Sequence, residues 1–221
     1  MKHVPNALTL SRIVAAPLCL WGLASETFTG QILGTILFIA AAITDYWDGK
    51  LARKYGVGSR LGQFLDPLAD KILVLGAFFL LPFLDPLDRG LAAPAGAWLP
   101  WAAVGAVALR DLAVTVLRTV YERRNRPLRT TSAAKWKTAW QLTFLITLEV
   151  FLVVAHARVL GGFWGAFGRF FYAVLESPFP LVFLLLTAAV TVYTGVLYFV
   201  HRETAPPVPG EVTPSAPFEV P

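Results

Sequence analysis

Residues 44–71 read TDYWDGKLARKYGVGSRLGQFLDPLADK. Asp45, Asp48, Asp66 and Asp70 sit here, at the end of one apolar run and the start of the next. An ionised carboxylate at membrane depth costs roughly 3 kcal/mol or more unless it is paired or wet. At about 100° per residue, Asp45, Asp48, Gly49 and Ala52 fall within an arc of about 100° on a helix. Two acids and two small residues therefore share one face. Asp66 and Asp70 are four apart and share a face on the next helix, with Pro67 tolerated in its first turn. Two carboxylate pairs on neighbouring helices repel at close range, and a divalent cation resolves the repulsion. Hard Mg²⁺ or Mn²⁺ takes carboxylate and water oxygens and is commonly shared with substrate phosphates. Gly49 and Gly62 leave room for a ligand or for close helix approach.

The rest of the chain explains why these acids are conspicuous. Of 221 residues, 56% are hydrophobic and only 15% charged, with a mean hydropathy of +0.61. That composition places the chain among integral membrane proteins. A spanning helix needs about 20 mostly apolar residues. Six stretches qualify, near 5–24, 30–50, 66–84, 97–121, 134–157 and 178–200. The expected fold is all-α, a bundle of six transmembrane helices over residues 1–203. A Pro-rich tail, residues 204–221, is expected to be disordered or extended. The first stretch does not read as a cleaved signal, because Asn6, Thr9, Ser11 and Arg12 interrupt its start. Residues 160–177, aromatic and Gly-rich with one Arg, read as an interfacial piece.

Cys19 is the one cysteine, so an internal disulfide and a cysteine-based metal site are both excluded. His3, His156 and His201 are scattered near different helix ends and read as interface residues, not as a zinc site. The basic residues are lopsided. Lys50, Arg53, Lys54, Arg60 and Lys71 flank the second connection, and Arg123, Arg124, Arg126, Arg129, Lys135 and Lys137 the fourth. The opposite loops hold Arg89, Arg158 and Arg169. The positive-inside rule puts both termini and the aspartates on the cytoplasmic side, in a bacterial inner or plasma membrane. The basic face attracts anionic lipid headgroups. Nucleic acid is not an expected partner, because the cations lie in connections between apolar runs.

The pattern Asp45-x2-Asp48-Gly49-x2-Ala52-Arg53-x8-Gly62-x3-Asp66-x3-Asp70 resembles the signature of the CDP-alcohol phosphatidyltransferases at every defined position. Such a long pattern is specific. The resemblance implies a six-helix membrane fold, a homodimer, and an active site at the cytoplasmic helix ends. It also implies two divalent cations on the aspartates, and transfer of a phosphatidyl group from a CDP-linked lipid to an alcohol with release of CMP. PNALTLSRI at 5–13, LRDLAVTVLR at 109–118 and TSAAKWKTAWQ at 131–141 are similar to the phosphatidylglycerophosphate synthase branch of that family. Asp111 stands where Glu is usual in the branch, and Ala134 where Gly is usual.

The resemblance implies Asp45, Asp48, Asp66 and Asp70 as metal ligands, with Asp70 also the general base. Asp48, Gly49, Ala52, Arg53 and Gly62 would line the CDP pocket. The branch implies CDP-diacylglycerol and sn-glycerol 3-phosphate as substrates, and a phosphorylated acceptor needs fixed cations. Arg110, Arg118, Lys135 and Lys137 are the candidates for its phosphate. Thr9 and Arg12 are candidates to border the same chamber. Asp111 and Arg118, seven apart, share a helix face. Lys135 and Lys137 are about 200° apart, so both reach one pocket only by snorkelling.

Within the family, a cardiolipin synthase or an enzyme with an inositol phosphate acceptor is the nearest alternative. Membrane prenyltransferases also join Asp-rich motifs to Mg²⁺ and a diphosphate, but their motifs are spaced differently and lack the Gly-x2-Ala-Arg element. A cation transporter needs acids deep in the bilayer and an exit on the far side, whereas these acids gather near one face.

Overall fold

The computed structural model describes residues 15–55, 71–92, 96–123 and 132–200; the side chains of 45–55, 122–123, 132–135 and 199 fall outside the description. Every regular element among the described residues is helical. In chain order they are α1 (15–23), α2 (Phe28–Tyr55), α3 (71–80), α4 (Leu87–Ala92), α5 (Trp98–Arg123), α6 (Ser132–Ala155), α7 (Gly162–Glu176) and α8 (Phe179–Val200). One 3-10 turn, Leu81–Phe83, extends α3, and another, His156–Val159, follows α6.

Three of these helices are long and apolar enough to cross a membrane: Trp98–Tyr121, Trp136–Val159 and Phe179–Tyr198. Phe28–Thr44 and Lys71–Phe83 are shorter apolar helical stretches. Only 33%, 33% and 39% of the three long apolar windows is buried inside the fold. The remaining apolar surface, including Leu109, Leu112 and Val116 on α5, faces outward. A water-soluble bundle would leave a patch of that size as an aggregation site, and hydrocarbon is the solvent that suits it.

The core forms where α3, α6 and α8 meet. Phe78 stacks on Phe144 at 5.4 Å, and Phe183 meets Phe144 edge-on at 4.9 Å. Hydrogen bonds join α6 to α8 inside this apolar setting: Trp140 Nε1 donates to Thr187 Oγ1 and Gln141 Nε2 to Thr191 Oγ1, both at 3.2 Å. α5 packs along α8, and α2 along α6.

The relative direction of α2 and α6 follows from their end contacts. Phe28, which opens α2, lies 5.9 Å from the His156 ring, just past α6. His156 Nε2 also contacts the Glu26 carbonyl at 3.3 Å. α2 and α6 therefore run antiparallel, and the motif-bearing end of α2 lies at the level where α6 begins. α2 continues unbroken through Asp45, Asp48, Gly49, Ala52 and Arg53 to Tyr55, a little past the expected span.

α1 and α2 touch backbone to backbone. A Cβ on Gly34 would lie 2.5 Å from the Leu23 amide nitrogen and 2.7 Å from the Gly22 carbonyl carbon. Cys19 Sγ donates to the Gly34 carbonyl at 3.4 Å. Gly34→Val is expected to force the helices apart and destabilise the protein by about 1–3 kcal/mol. Gly105→Ala, where nothing lies within 4 Å, is expected to be neutral or stabilising by up to ~1 kcal/mol. Thermal unfolding of the two variants in detergent checks both.

α7 has 15 residues, about 22 Å of helix, which is too short to span. Phe163, Trp164 and Phe170 on it are exposed, while Gly165 and Gly168 are buried. A Cβ at those glycines would strike the Leu160 carbonyl and the Arg158 amide. The glycines let α7 lie flat on the preceding turn with its aromatic face outward, as the expected interfacial piece would. The short α4, not expected from sequence, is tied to α7 by Arg89, which meets Glu176 Oε1 at 2.6 Å and Asp85 Oδ1 at 2.7 Å. Arg158, on the same side, lies 4.2 Å over the Tyr172 ring.

Candidate active site

The late turns of α2 place Asp45 and Asp48 one turn apart on a continuous helix, with Gly49, Ala52 and Arg53 following. Asp66, Asp70 and Gly62 lie outside the described residues, as do Thr9 and Arg12. Among the described residues, no group of three or more His, Cys, Asp or Glu gathers at one point. The chemistry of the four-aspartate donor set, hard oxygens only, fits Mg²⁺ or Mn²⁺.

Beside this motif the structure builds a buried ionic cluster from four helices. Asp111 of α5 is its centre, with a side chain only 2% exposed. Lys137 of α6 reaches both its oxygens, at 2.5 and 2.6 Å. Arg110 Nη1 donates to Oδ1 at 3.2 Å, and Lys71 Nζ at the start of α3 lies 3.5 Å from Oδ2. Three cations thus surround one carboxylate. α8 supplies the outer wall: Arg110 Nη2 donates to Thr194 Oγ1 at 3.3 Å, and the Arg110 stem lies where a Cβ on Gly195 would sit. Only glycine there lets the guanidinium pass between α5 and α8.

The cluster keeps unspent donors. An ammonium has three N–H groups, and the two Asp111 oxygens take two from Lys137. Arg110 Nε is buried and has no partner among the described residues, and neither does the Tyr198 hydroxyl, one turn beyond Thr194 on α8. Buried donors are normally satisfied. Arg110 Nε lies beside Gly195 of α8, 3.0 Å from where a Cβ would stand.

The structure therefore brings Arg110 and Lys137, two of the four expected acceptor residues, together with Asp111. The Asp111 carboxylate is engaged by Lys137, Arg110 and Lys71 across helices. Arg118 lies on α5 two turns further along, half-buried and with interactions of its own. Lys135 lies in the first turn of α6, with its side chain outside the description. Sequence reasoning read Lys71 only as a boundary charge, and it missed Thr194 and Tyr198. The position of Lys71, directly after Asp70, was the available signal. Nothing in the run around Thr194 marked it.

A family model described as CDP-alcohol phosphatidyltransferase matches residues 2–198. Among similar proteins, the CDP-diacylglycerol–glycerol-3-phosphate 3-phosphatidyltransferase 1, chloroplastic/mitochondrial, of Arabidopsis thaliana is 38% identical over 152 residues, covering 66% of this chain and 50% of that protein. The cardiolipin synthase (CMP-forming) of Oryza sativa subsp. japonica is 34% identical over 149 residues, covering 66% of this chain and 45% of that protein. The CDP-diacylglycerol–glycerol-3-phosphate 3-phosphatidyltransferase of Cereibacter sphaeroides is 28% identical over 215 residues, covering 89% of this chain and 93% of that protein. The matches span about half the length of the plant relatives. With a complete aspartate signature, apolar helices of membrane length and a family match over nearly all its residues, this chain belongs to the integral-membrane CDP-alcohol phosphatidyltransferase family.

Proposed function

We propose that this chain transfers a phosphatidyl group from CDP-diacylglycerol to sn-glycerol 3-phosphate, giving phosphatidylglycerophosphate and CMP. The observation that carries the choice of acceptor is the buried cluster in which Lys71, Arg110 and Lys137 meet a single carboxylate. A neutral alcohol needs no such surplus of fixed positive charge, whereas a phosphomonoester does. The names of the Arabidopsis and Cereibacter relatives support the same acceptor.

In this reading α1, α2, α3, α5, α6 and α8 are the six spans of one membrane domain, residues 1–203. Residues 201–221, including the Pro-rich tail 204–221, lie outside the described residues. Both termini and the aspartates face the cytoplasm of a bacterial inner or plasma membrane, and the chain works as a homodimer among membrane lipids. Asp48, Gly49, Ala52, Arg53 and Gly62 line the CDP site. Asp45, Asp48, Asp66 and Asp70 would hold two divalent cations, Mg²⁺ or Mn²⁺, which supply charge to offset that of the pyrophosphate.

The acceptor's phosphate is held by Arg110, Arg118, Lys135 and Lys137, with Thr9 and Arg12 at the chamber's border. The unpartnered Arg110 Nε–H and the third Lys137 N–H are the donors left to meet it in this reading. Asp111 does not touch the acceptor; it fixes Lys137 and Arg110 in place. Asp70 accepts the proton of the attacking hydroxyl. The freed oxygen bonds to the phosphorus of the phosphatidyl group, the bond from that phosphorus to the CMP oxygen breaks, and CMP leaves with the electron pair.

CMP release by the purified protein with CDP-diacylglycerol tests this, comparing sn-glycerol 3-phosphate, inositol 1-phosphate and phosphatidylglycerol as acceptors with Mg²⁺ or Mn²⁺. Release is expected with glycerol 3-phosphate alone. Release with phosphatidylglycerol alone would make the rice cardiolipin synthase the better guide. No release with any of the three would overturn the reading.

A further inference from the structure

α8 carries no part of the aspartate signature, and its run TVYTGVLYFV at 191–200 is mostly apolar. Two of its residues nevertheless shape the ionic cluster. The Thr194 hydroxyl has one hydrogen to give. That hydrogen stays on its own helix, where the Val190 and Thr191 carbonyls both lie 2.9 Å from Oγ1. A lone pair remains, and it faces Arg110 Nη2 at 3.3 Å. A guanidinium only donates, so α8 supplies the acceptor and α5 the cation.

Gly195, the next residue, is buried and lies against the Arg110 stem. A Cβ there would stand 2.8 Å from Arg110 Cγ, 3.0 Å from Nε and 3.5 Å from Cδ. The nearest of these atoms belongs to the stem, not to a mobile tip. A methyl group at this position must therefore move the guanidinium or part α5 from α8. On the far side Nη1 is held by Asp111 Oδ1 at 3.2 Å. A guanidinium is planar and rigid. Two held nitrogens and a confined stem fix both its position and its plane.

Charge gives this fixing a use. Arg110, with a side chain 10% exposed, shares its one carboxylate with Lys137 and Lys71. The cluster thus holds more cation than anion. An arriving phosphate would restore the balance, and it binds best to donors already in place. We infer that Thr194 and Gly195 are positioning residues of the acceptor-phosphate site, holding the Arg110 guanidinium where it meets a phosphomonoester. Thr194 acts through its lone pair and Gly195 through the space it leaves. The inference rests on the reading of Arg110 as a phosphate-binding residue. It adds that the last helix sets affinity for the acceptor without touching it.

Steady-state CMP release by the full chain in detergent tests this, with glycerol 3-phosphate and CDP-diacylglycerol varied in turn. Gly195→Ala is expected to raise KM for glycerol 3-phosphate roughly tenfold, the scale of one lost charge-assisted hydrogen bond. Its kcat and its KM for CDP-diacylglycerol should stay within about twofold of wild type. Thr194→Val keeps the shape without the lone pair and should raise the acceptor KM about 3–10-fold. Thr194→Ser restores the hydroxyl and should restore that KM. The threonine pair decides the matter if Gly195→Ala does not fold. In an Arg110→Ala background no stem is left to strike, so Gly195→Ala should add nothing further to the acceptor KM. An unchanged acceptor KM in both Gly195→Ala and Thr194→Val would overturn the proposal. So would equal rises in both KM values, or a further rise in the Arg110→Ala background, either of which is the mark of altered packing alone. If Arg110→Ala itself leaves the acceptor KM unchanged, the reading of Arg110 falls. That failure is distinct from one in which Arg110→Ala raises KM and the α8 variants do not.

Discussion

Asp111→Asn is expected to destabilise the folded protein by about 3–5 kcal/mol, the usual consequence of leaving a buried charge without its partner. Lys137 is the charge left behind, with a side chain only 4% exposed and both its observed hydrogen bonds on the Asp111 oxygens. Arg110 loses its bond to the same carboxylate and keeps the one to Thr194. The exposed pair Arg89–Asp85, with side chains 56% and 52% exposed, gives the contrast. Arg89→Ala there should leave the unfolding midpoint nearly unchanged. Thermal unfolding in detergent measures the difference, at roughly 2–4 °C per kcal/mol. Asp111→Glu keeps the charge and should retain the fold. The double variant Asp111→Leu with Lys137→Met removes both ends of the tightest pair and should recover most of the stability, as apolar replacement of buried ion pairs commonly does. It should not recover turnover if Lys137 holds the acceptor's phosphate as proposed, because that ammonium is gone. A double variant as active as wild type would reduce the cluster to a structural ion pair.

The sequence shows the apolar runs and the aspartate spacing because both are local. Helical period and residue type put Asp45 and Asp48 on one face without knowledge of any neighbour. Partner choice across helices is not local. Asp111 and Lys137 are 26 residues apart, and the heptad-like spacing of Asp111 and Arg118 pointed to a nearer partner on the same helix. The rotation of α6 about its axis decides that Lys137 faces α5, and the packing of α6 against α8 through Gln141–Thr191 sets that rotation. Gly195 is equally silent in sequence: its lack of a side chain matters only because the Arg110 stem crosses α8 there. α4, six residues long, carries too little periodicity to stand out from a loop.

Asp70→Asn is expected to lower CMP release with glycerol 3-phosphate by about 10²–10⁴-fold, the range for losing a positioned proton acceptor. Asparagine keeps the size of the side chain and one carbonyl oxygen but cannot accept the hydroxyl proton. It also removes one negative charge from the proposed metal set, and the two losses can be separated. If Asp70 served only as a ligand, the deficit should shrink as Mn²⁺ is raised to saturation. If Asp70 is the base, the deficit persists at saturating metal and lies in kcat. Loss of the phosphate grip, as in Lys137→Met, should instead raise KM for glycerol 3-phosphate. Lys71 makes the contrast sharp. It follows Asp70 directly and is tied to the Asp111 cluster at 3.5 Å. The start of α3, and with it the peptide next to Asp70, is thus coupled to the same cations that would hold the acceptor. Lys71→Met should loosen that coupling and lower kcat and affinity together, where Asp70→Asn lowers kcat alone. Turnover above a tenth of wild type in Asp70→Asn at saturating metal would remove Asp70 from the proton-transfer step.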